Sequence, residues 1–438
     1  NCAKILSSKI IKKEKFVMKK LLSLLLAVLL IMSTVTVVSA ETSLPIQSGY
    51  YTYTVTNNEA TITDVNMSIS GDVVIPSHFG EYPVVAIGEE AFSICGNITS
   101  VVIPDGVKSI GNDGFYYCDE MVSITLPPSV TSIGSCVFGN CKKLETVNLP
   151  QNLKILPSRT FYYCKALKGV QLPSTLEEIG YQAFESCTAL ESINIPAGVK
   201  VIDQEAFEFC NKLTAINLPA ALEEIGSNAF NYCTGITKIN IPAKTTSIDY
   251  SSFASCDNLR EITVSAGNQR YFAANNCLVE GYYGTLIAAP KISDVVIPNG
   301  VKYIPAYTFY REPTVLRSVV IPTSVTSIDY GAFANCTSLT TVNYTGTATQ
   351  WSAINIKEAN EALSIVNYNY VPPYKPGDTN GDNFVTLDDV VVLAQKVAGW
   401  SVECNVNALN VNGDSAVTLD DVVLLAQYVA GWGGIILH

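Results

Sequence analysis

Asp378, Asn380 and Asp382, followed by Phe384 and Asp389, set oxygen donors at positions 1, 3, 5, 7 and 12 of one twelve-residue run. Position 7 offers its backbone carbonyl and the others offer side-chain oxygens. A hard cation such as calcium takes six to eight oxygens around one point, which this spacing suits. The pattern returns 32 residues later as Asn410, Asn412, Asp414, Ala416 and Asp421. Two calcium ions are therefore expected. The first loop brings three carboxylates and the second two, so the second site is expected to be the weaker. Position 6 is Asn383 in one loop and Ser415 in the other, where glycine usually makes the sharp turn.

Helices must hold the twelfth ligand of each loop. The stretches L-D-D-V-V-V-L-A-Q-K-V-A-G-W from Leu387 and L-D-D-V-V-L-L-A-Q-Y-V-A-G-W from Leu419 agree at twelve of fourteen positions. Thr386 with Asp389, and Thr418 with Asp421, predict capping-box starts. Leu387, Val390, Val391 and Ala394 are expected to line one helical face, and Gly399 and Gly431 to end the helices. A calcium loop followed by one helix, without the leading helix of an EF-hand and present twice within residues 378–432, resembles a type I dockerin. The resemblance implies a partner, a cohesin module on a scaffold or cell-surface protein. It also implies that Leu387, Asp388, Leu419 and Asp420, at loop positions 10 and 11, contribute to partner choice. That pair is identical in the two halves, which implies that either half can dock.

The rest of the chain is organised by a repeat. Phenylalanine recurs every 23 residues from Phe92 to Phe253, cysteine in the same step from Cys95 to Cys256, and proline from Pro104 to Pro242. A fixed period of this length means a solenoid in which each coil buries its apolar face on its neighbours. Within a coil, L-x-x-I-x-I/L-P reads as a short strand with Leu190, Ile193 and Ile195 turned inward, and proline closes it. V-x-x-I-G, as at Val130 to Gly134, is a second extended piece, and A-F-x-x-C brings the chain round. The unit resembles the BspA-like, Treponema-type leucine-rich repeat of bacterial surface and secreted proteins, and residues 41–370 are assigned to it with a cap at each end. The fold class expected is mainly β: a leucine-rich-repeat solenoid followed by a small α-helical calcium unit. Tyr51 to Val65 around Asn57-Asn58 reads as a capping hairpin, and Tyr344 to Trp351 closes the other end.

Composition narrows the function. The net charge of −12 argues against nucleic acid, and His78 and His438, the only histidines, lie outside the array. A histidine-dependent triad or zinc site is not expected. Of the thirteen cysteines, eight sit one per coil at one register, where side chains run parallel and do not converge on a disulfide. They read as buried free thiols acting as small hydrophobes. Met18-Lys19-Lys20, the apolar run Leu21 to Met32 and the small exit Val38-Ser39-Ala40 predict a signal peptide over residues 18–40. Residues 1–17 are then expected to be upstream sequence outside the mature protein. Residues 371–377 read as a Pro-rich linker.

One exposed strand position forms a column: Thr125, Asn148, Gln171, Asn194, Asn217, Asn240 and Thr263. Such a row either binds the hydroxyls of a glycan or the groups of a peptide, or forms a hydrogen-bonded ladder that stiffens the coil. Between Phe253 and Phe309 the period breaks by ten extra residues; Asn275 to Val279 and Thr285 to Ile287 are expected to form a hairpin insertion there, either a tolerated loop or a projection that contacts a partner. The tyrosine pairs Tyr116-Tyr117 and Tyr162-Tyr163 read as coil-edge packing. Glu177-Glu178 and Glu223-Glu224 are the paired carboxylates to consider for glycoside hydrolysis, but they fill an exposed repeat position, so no catalytic residue is expected. The function expected is a secreted, non-catalytic binding or adhesion protein, anchored by cohesin in a polysaccharide-degrading complex or on the cell surface. The solenoid ligand is an open choice between protein and glycan. The alternatives are a glycoside hydrolase with an atypical site, or an adhesin whose C-terminal calcium unit only stabilises.

Overall fold

The computed structural model describes residues 44–310, 315–368, 377–379, 385–400, 402, 404, 408–411 and 416–430. The expected signal peptide, residues 1–17 and all of the linker but Gly377 lie outside the described residues. From Gly71 to Asn367 the chain winds a β-solenoid of about 13 turns.

Each coil has three sides, and each side is set by one part of the repeat. The L-x-x-I-x-I segments form the first ladder: Gly71–Val74, Ile98–Val102, Ser123–Thr125 and Thr146–Val147 pair in parallel, then the Asn148–Gln171 bridge, Ser192–Ile193 with Ala215–Ile216, and Lys238–Ile241 with Glu261–Val264. The V-x-x-I segments form the second, as in Ile155–Leu156, Glu178–Ile179, Val201–Ile202, Glu224–Ile225 and Ser247–Ile248. Pairing is one repeat out of step throughout, Glu178 on Val201 and Val201 on Glu224. Through the regular array from Ser100 to Val264, residue i therefore meets residue i+23, and like stacks on like.

The third side is the A-F-x-x-C turn. Phe92 to Phe253 are buried in one stack, with consecutive ring centroids 4.8 to 6.2 Å apart. In the turns from Phe92 to Phe230 two residues each adopt left-handed backbone, for example Gln182 and Ser186 at φ of 54 and 60° and Glu205 and Phe209 at 58 and 60°. None in these turns is glycine, and each costs ~1–2 kcal/mol. The amides so turned bond to the next coil: Gln182 N–H donates to Gln204 O at 3.0 Å and Ser186 N–H to Glu208 O at 2.7 Å. The tight turn is thus held by inter-coil bonds. The column cysteines are free and buried, and they also do more than fill space. Cys141 Sγ donates to Phe115 O at 3.1 Å, Cys164 to Phe138 O at 3.1 Å and Cys210 to Phe184 O at 3.2 Å. A carbonyl buried at this turn needs a donor, and a thiol is small enough to supply one.

Both ends are covered. Tyr51–Thr56 and Glu59–Val65 form an antiparallel hairpin with Asn57 and Asn58 at φ of 54 and 63°, and Glu59–Val65 then pairs with Tyr82–Ile87 of the first coil. At the far end Thr347 and Gln350 make a reciprocal cap on helix Ala348–Trp351, and the Trp351 ring lies edge-on to Tyr344 at 5.1 Å.

The insertion forms the expected hairpin, Cys277–Glu280 pairing antiparallel with Thr285–Ala288, but not as a projecting element. It is no projecting loop, because its strands Tyr271–Ala274, Cys277–Glu280 and Thr285–Ala288 run through the core. Leu278 and Ile287 pack on the core running back to Tyr53, while Cys277, Val279 and Leu286 pack on a second core running to Leu363. A strand sends alternate residues to opposite faces, so these segments are apolar on both. They form a septum between two stacked cores. Tyr271 closes the edge of the first, its hydroxyl accepting from Ile248 N–H at 2.8 Å.

Residues 385–430 hold helices Leu387–Val397 and Leu419–Val429, each opened by the expected capping box. Val390, Leu393, Leu409, Val411 and Leu425 form their own small core. The expected face splits: Val390 is buried, but Leu387 and Val391 point outward. The helix turns its Val390–Leu393 stripe to the partner helix, which leaves the neighbouring i, i+4 stripe in solvent.

Two outcomes are expected. A Cβ on Gly226 would lie 2.5 Å from Gln204 N and 2.7 Å from Asp203 C, both backbone of the preceding coil. Gly226→Ala should therefore lower unfolding free energy by ~1–3 kcal/mol in a denaturant titration; an unchanged midpoint would show that the coils are not so closely stacked. Burial pushes the column thiols up, those of Cys95 and Cys256 to about 12, so they stay protonated at pH 8. A disulfide reagent at pH 8 should leave them unlabelled until denaturant is added, and rapid labelling of the native chain would contradict this.

Candidate functional site

The calcium-loop ligand positions that can be placed are the first and last of each loop and Ala416, the seventh of the second. Asp389 and Asp421 are fully buried and Asp378 is 2 % exposed. Asp389 Oδ2 accepts the Thr386 N–H at 2.8 Å, and the buried Thr379 hydroxyl sits 3.3 Å from its Oδ1. Asp421 repeats this arrangement, accepting Thr418 N–H at 2.8 Å and Val411 N–H at 2.9 Å. Asn410 is half-buried and Ala416 exposed. Asn380, Asp382, Phe384, Asn412 and Asp414 lie outside the described residues. The described loop residues Asp378, Asp389, Asn410 and Asp421 all carry oxygen donors, the chemistry that a hard divalent cation takes.

The four residues expected at the partner contact are all on the surface. Leu387 is 65 % and Leu419 64 % exposed, with Asp388 and Asp420 exposed beside them. Val391 and Val423, one turn on, are exposed as well. They extend each stripe to Leu-Asp-Val, and their identity in both halves was the available signal. Sequence reasoning missed them by assigning Val391 to the buried face.

The solenoid column forms as expected, with all seven residues from Thr125 to Thr263 exposed on one face. Its ends are tied into the stack. Asn148 Nδ2 donates to Leu126 O at 2.7 Å, and its Oδ1 accepts Leu126 N–H at 3.0 Å. Thr263 donates to Asn240 Oδ1 at 3.0 Å, and Asn240 Nδ2 donates to Ser265 at 2.9 Å. Between them Gln171, Asn194 and Asn217 make no side-chain hydrogen bond among the described residues. The column is therefore a ladder at its ends and a free polar row in its middle. Beside that row lies a depression of about 300 Å³ lined by Asn217, Lys238, Asn240, Glu261 and Thr263 over Ile216 and Ile239.

Of the paired glutamates, Glu177 is engaged in ion pairs. Glu177 lies between Lys154 at 3.3 Å and Lys200 at 3.1 Å, which hold its carboxyl below the usual range. A general acid needs the opposite shift. The same one-coil ion pairing joins Lys142 to Asp119 at 3.0 Å and Lys168 to Glu145 at 3.1 Å. The tyrosine pairs pack on each other at 4.6 Å with Lys142 over Tyr117 and Lys165 over Tyr163, at the coil edge.

Among solved structures, a leucine-rich repeat protein from Bacteroides ovatus ATCC 8483 is 25 % identical with a TM-score of 0.51, over 74 % of this chain and 78 % of its own. A leucine rich cell surface protein from Faecalibacterium prausnitzii A2-165 is 25 % identical over 72 % of this chain and 98 % of its own, with a TM-score of 0.46. The T. pallidum Leucine Rich Repeat protein is 30 % identical over 44 % and 90 %, with a TM-score of 0.40. No curated protein matches the sequence. No helix among the described residues is long and apolar enough to cross a membrane. The BspA type Leucine rich repeat region matches in six copies over residues 85–212, 177–279 and 285–358. With well over half its length matched by these repeats, the chain belongs to the BspA type leucine-rich repeat family.

Proposed function

We propose that the chain is a secreted, non-catalytic binding protein. Its solenoid presents the polar strand face to a protein or glycan, and residues 378–432 act as a type I dockerin that docks into a cohesin module. Two calcium ions would be held by Asp378, Asn380, Asp382, Phe384 O and Asp389, and by Asn410, Asn412, Asp414, Ala416 O and Asp421. The observation that carries this reading is the duplicated surface of the two helices: Leu387, Asp388 and Val391 match Leu419, Asp420 and Val423 in type and in exposure. Calcium alone does not require apolar residues in solvent, whereas a partner that can grip either half does. Bound calcium would take the buried carboxylates of Asp389 and Asp421 as ligands, and so fix the helix starts that carry the stripes. The salt-bridged Glu177 supports a non-catalytic solenoid. A polysaccharide-degrading complex or a cell surface holding cohesins is the setting this reading implies.

The test is capture of the intact chain by cohesins from the same genome, in calcium and in chelator. Calcium-dependent capture is expected. Leu387→Asp alone should weaken binding by no more than about twofold, because the other half still docks. Leu387→Asp with Leu419→Asp should weaken it by about 30-fold or more, the loss of an anchor worth ~2 kcal/mol. Capture that survives chelation, or no capture of a folded calcium-loaded chain by any of those cohesins, would overturn the proposal.

A further inference from the structure

The turn side of the coils carries two columns that the binding reading does not use. Residues just after the stacked phenylalanines run Tyr162, Glu185, Glu208, Asn231, and those two places before them run Arg159, Gln182, Glu205. The register brings three carboxylates together, and one oxygen from each of Glu185, Glu205 and Glu208 lies within 4.8 Å of the others. Glu185 is only 7 % exposed, and its Oε2 is buried and accepts no hydrogen bond among the described residues. Glu205 is held by amides, Gln182 Nε2 donating to its Oε2 at 2.5 Å and Gln204 Nε2 to its Oε1 at 2.8 Å. Asn231 Nδ2 donates to Glu208 Oε1 at 2.6 Å, which turns Asn231 Oδ1 into a second buried oxygen without a donor. No ion pair neutralises the three carboxylates among the described residues. The Arg159 guanidinium donates from Nε to Gln182 Oε1 at 2.5 Å, and it lies over the rings of Tyr162 and Tyr181 at 5.5 and 5.2 Å.

We propose that Glu185, Glu205 and Glu208 form a divalent-cation site that ties two adjacent coils of the solenoid, and that calcium is its ion. The donors are all oxygen. The nearby thiols of Cys187 and Cys210 point inward, donating to Phe161 O and Phe184 O at 3.2 Å, so no soft ligand faces the cluster. Three carboxylates from two coils, Glu205 and Glu208 only half-buried, suit the flexible coordination of calcium better than the strict octahedron of magnesium. The amides around Glu205 and Glu208 hold the oxygens in place as orienting neighbours of a ligand set do. The site shares no residue with the C-terminal loops and stands or falls independently of them.

The test is calcium counted per intact chain by elemental analysis after equilibrium dialysis. Three chains are compared: the wild type, Glu185→Gln with Glu208→Gln, and Asp389→Ala with Asp421→Ala. The glutamate variant should hold one calcium fewer than the wild type, and the aspartate variant should keep at least one. Added calcium should also raise the melting temperature of the solenoid in the aspartate variant. Should the double glutamine chain not fold, Glu205→Gln, at the half-exposed ligand, is expected to weaken the same ion at least tenfold. Equal calcium content in the wild type and the glutamine variants would overturn the proposal and leave a shared proton as the cluster's means of relief.

Discussion

Everything in the solenoid depends on the lock between residue i and residue i+23. Two ladders of parallel strands, the phenylalanine stack and the thiol-to-carbonyl bonds all enforce the same step. The left-handed turn residues, costly in an isolated peptide, persist because their amides are committed to the next coil. A single coil cannot meet these needs alone, so stability accrues between neighbours. The lock also forces like onto like, which is helpful for phenylalanine and harmful for charge. On the exposed side the sequence answers by alternating sign, Lys142 on Asp119 and Lys200 on Glu177. At Glu185 and Glu208 it does not alternate, and like charge gathers on the turn side.

Much of this was legible in the sequence because period is a strong signal. The repeat positions, the hairpin around Asn57-Asn58, the unbridged cysteines and the exposed column from Thr125 to Thr263 follow from spacing alone. The hairpin of Cys277–Glu280 with Thr285–Ala288 was legible from its residues, but its role as a septum was not. A segment that breaks the period reads as a projection, and only the two cores meeting across it explain why both faces of Cys277–Glu280 are apolar. The outward turn of Val391 was missed for another reason: Leu387, Val390, Val391 and Ala394 span a broad apolar arc, and the second helix decides which edge of it is covered. The polar duty of the cysteines was hidden as well, since a thiol donor and a small hydrophobe leave the same mark in a sequence.

The two parts of the chain divide the work of binding. The solenoid offers a long fixed surface whose middle, from Gln171 to Asn217, leaves amides free beside a polar depression. The C-terminal helices offer a small surface in two copies, on a unit whose core among the described residues is small. So small a core stabilises little. Under the proposed function, an ion held at Asp389 and Asp421 would couple folding of the unit to docking, and calcium would govern attachment while the solenoid face stays formed.

Hydrogen exchange on the intact chain, read by mass spectrometry in calcium and then in chelator, tests this division most directly. The account predicts that Cys277–Glu280 and Thr285–Ala288 exchange as slowly as the coils on either side in both conditions, and that Leu387–Val397 and Leu419–Val429 are protected only with calcium. Loop-like exchange across Cys277–Ala288, or helices equally protected in chelator, would contradict it.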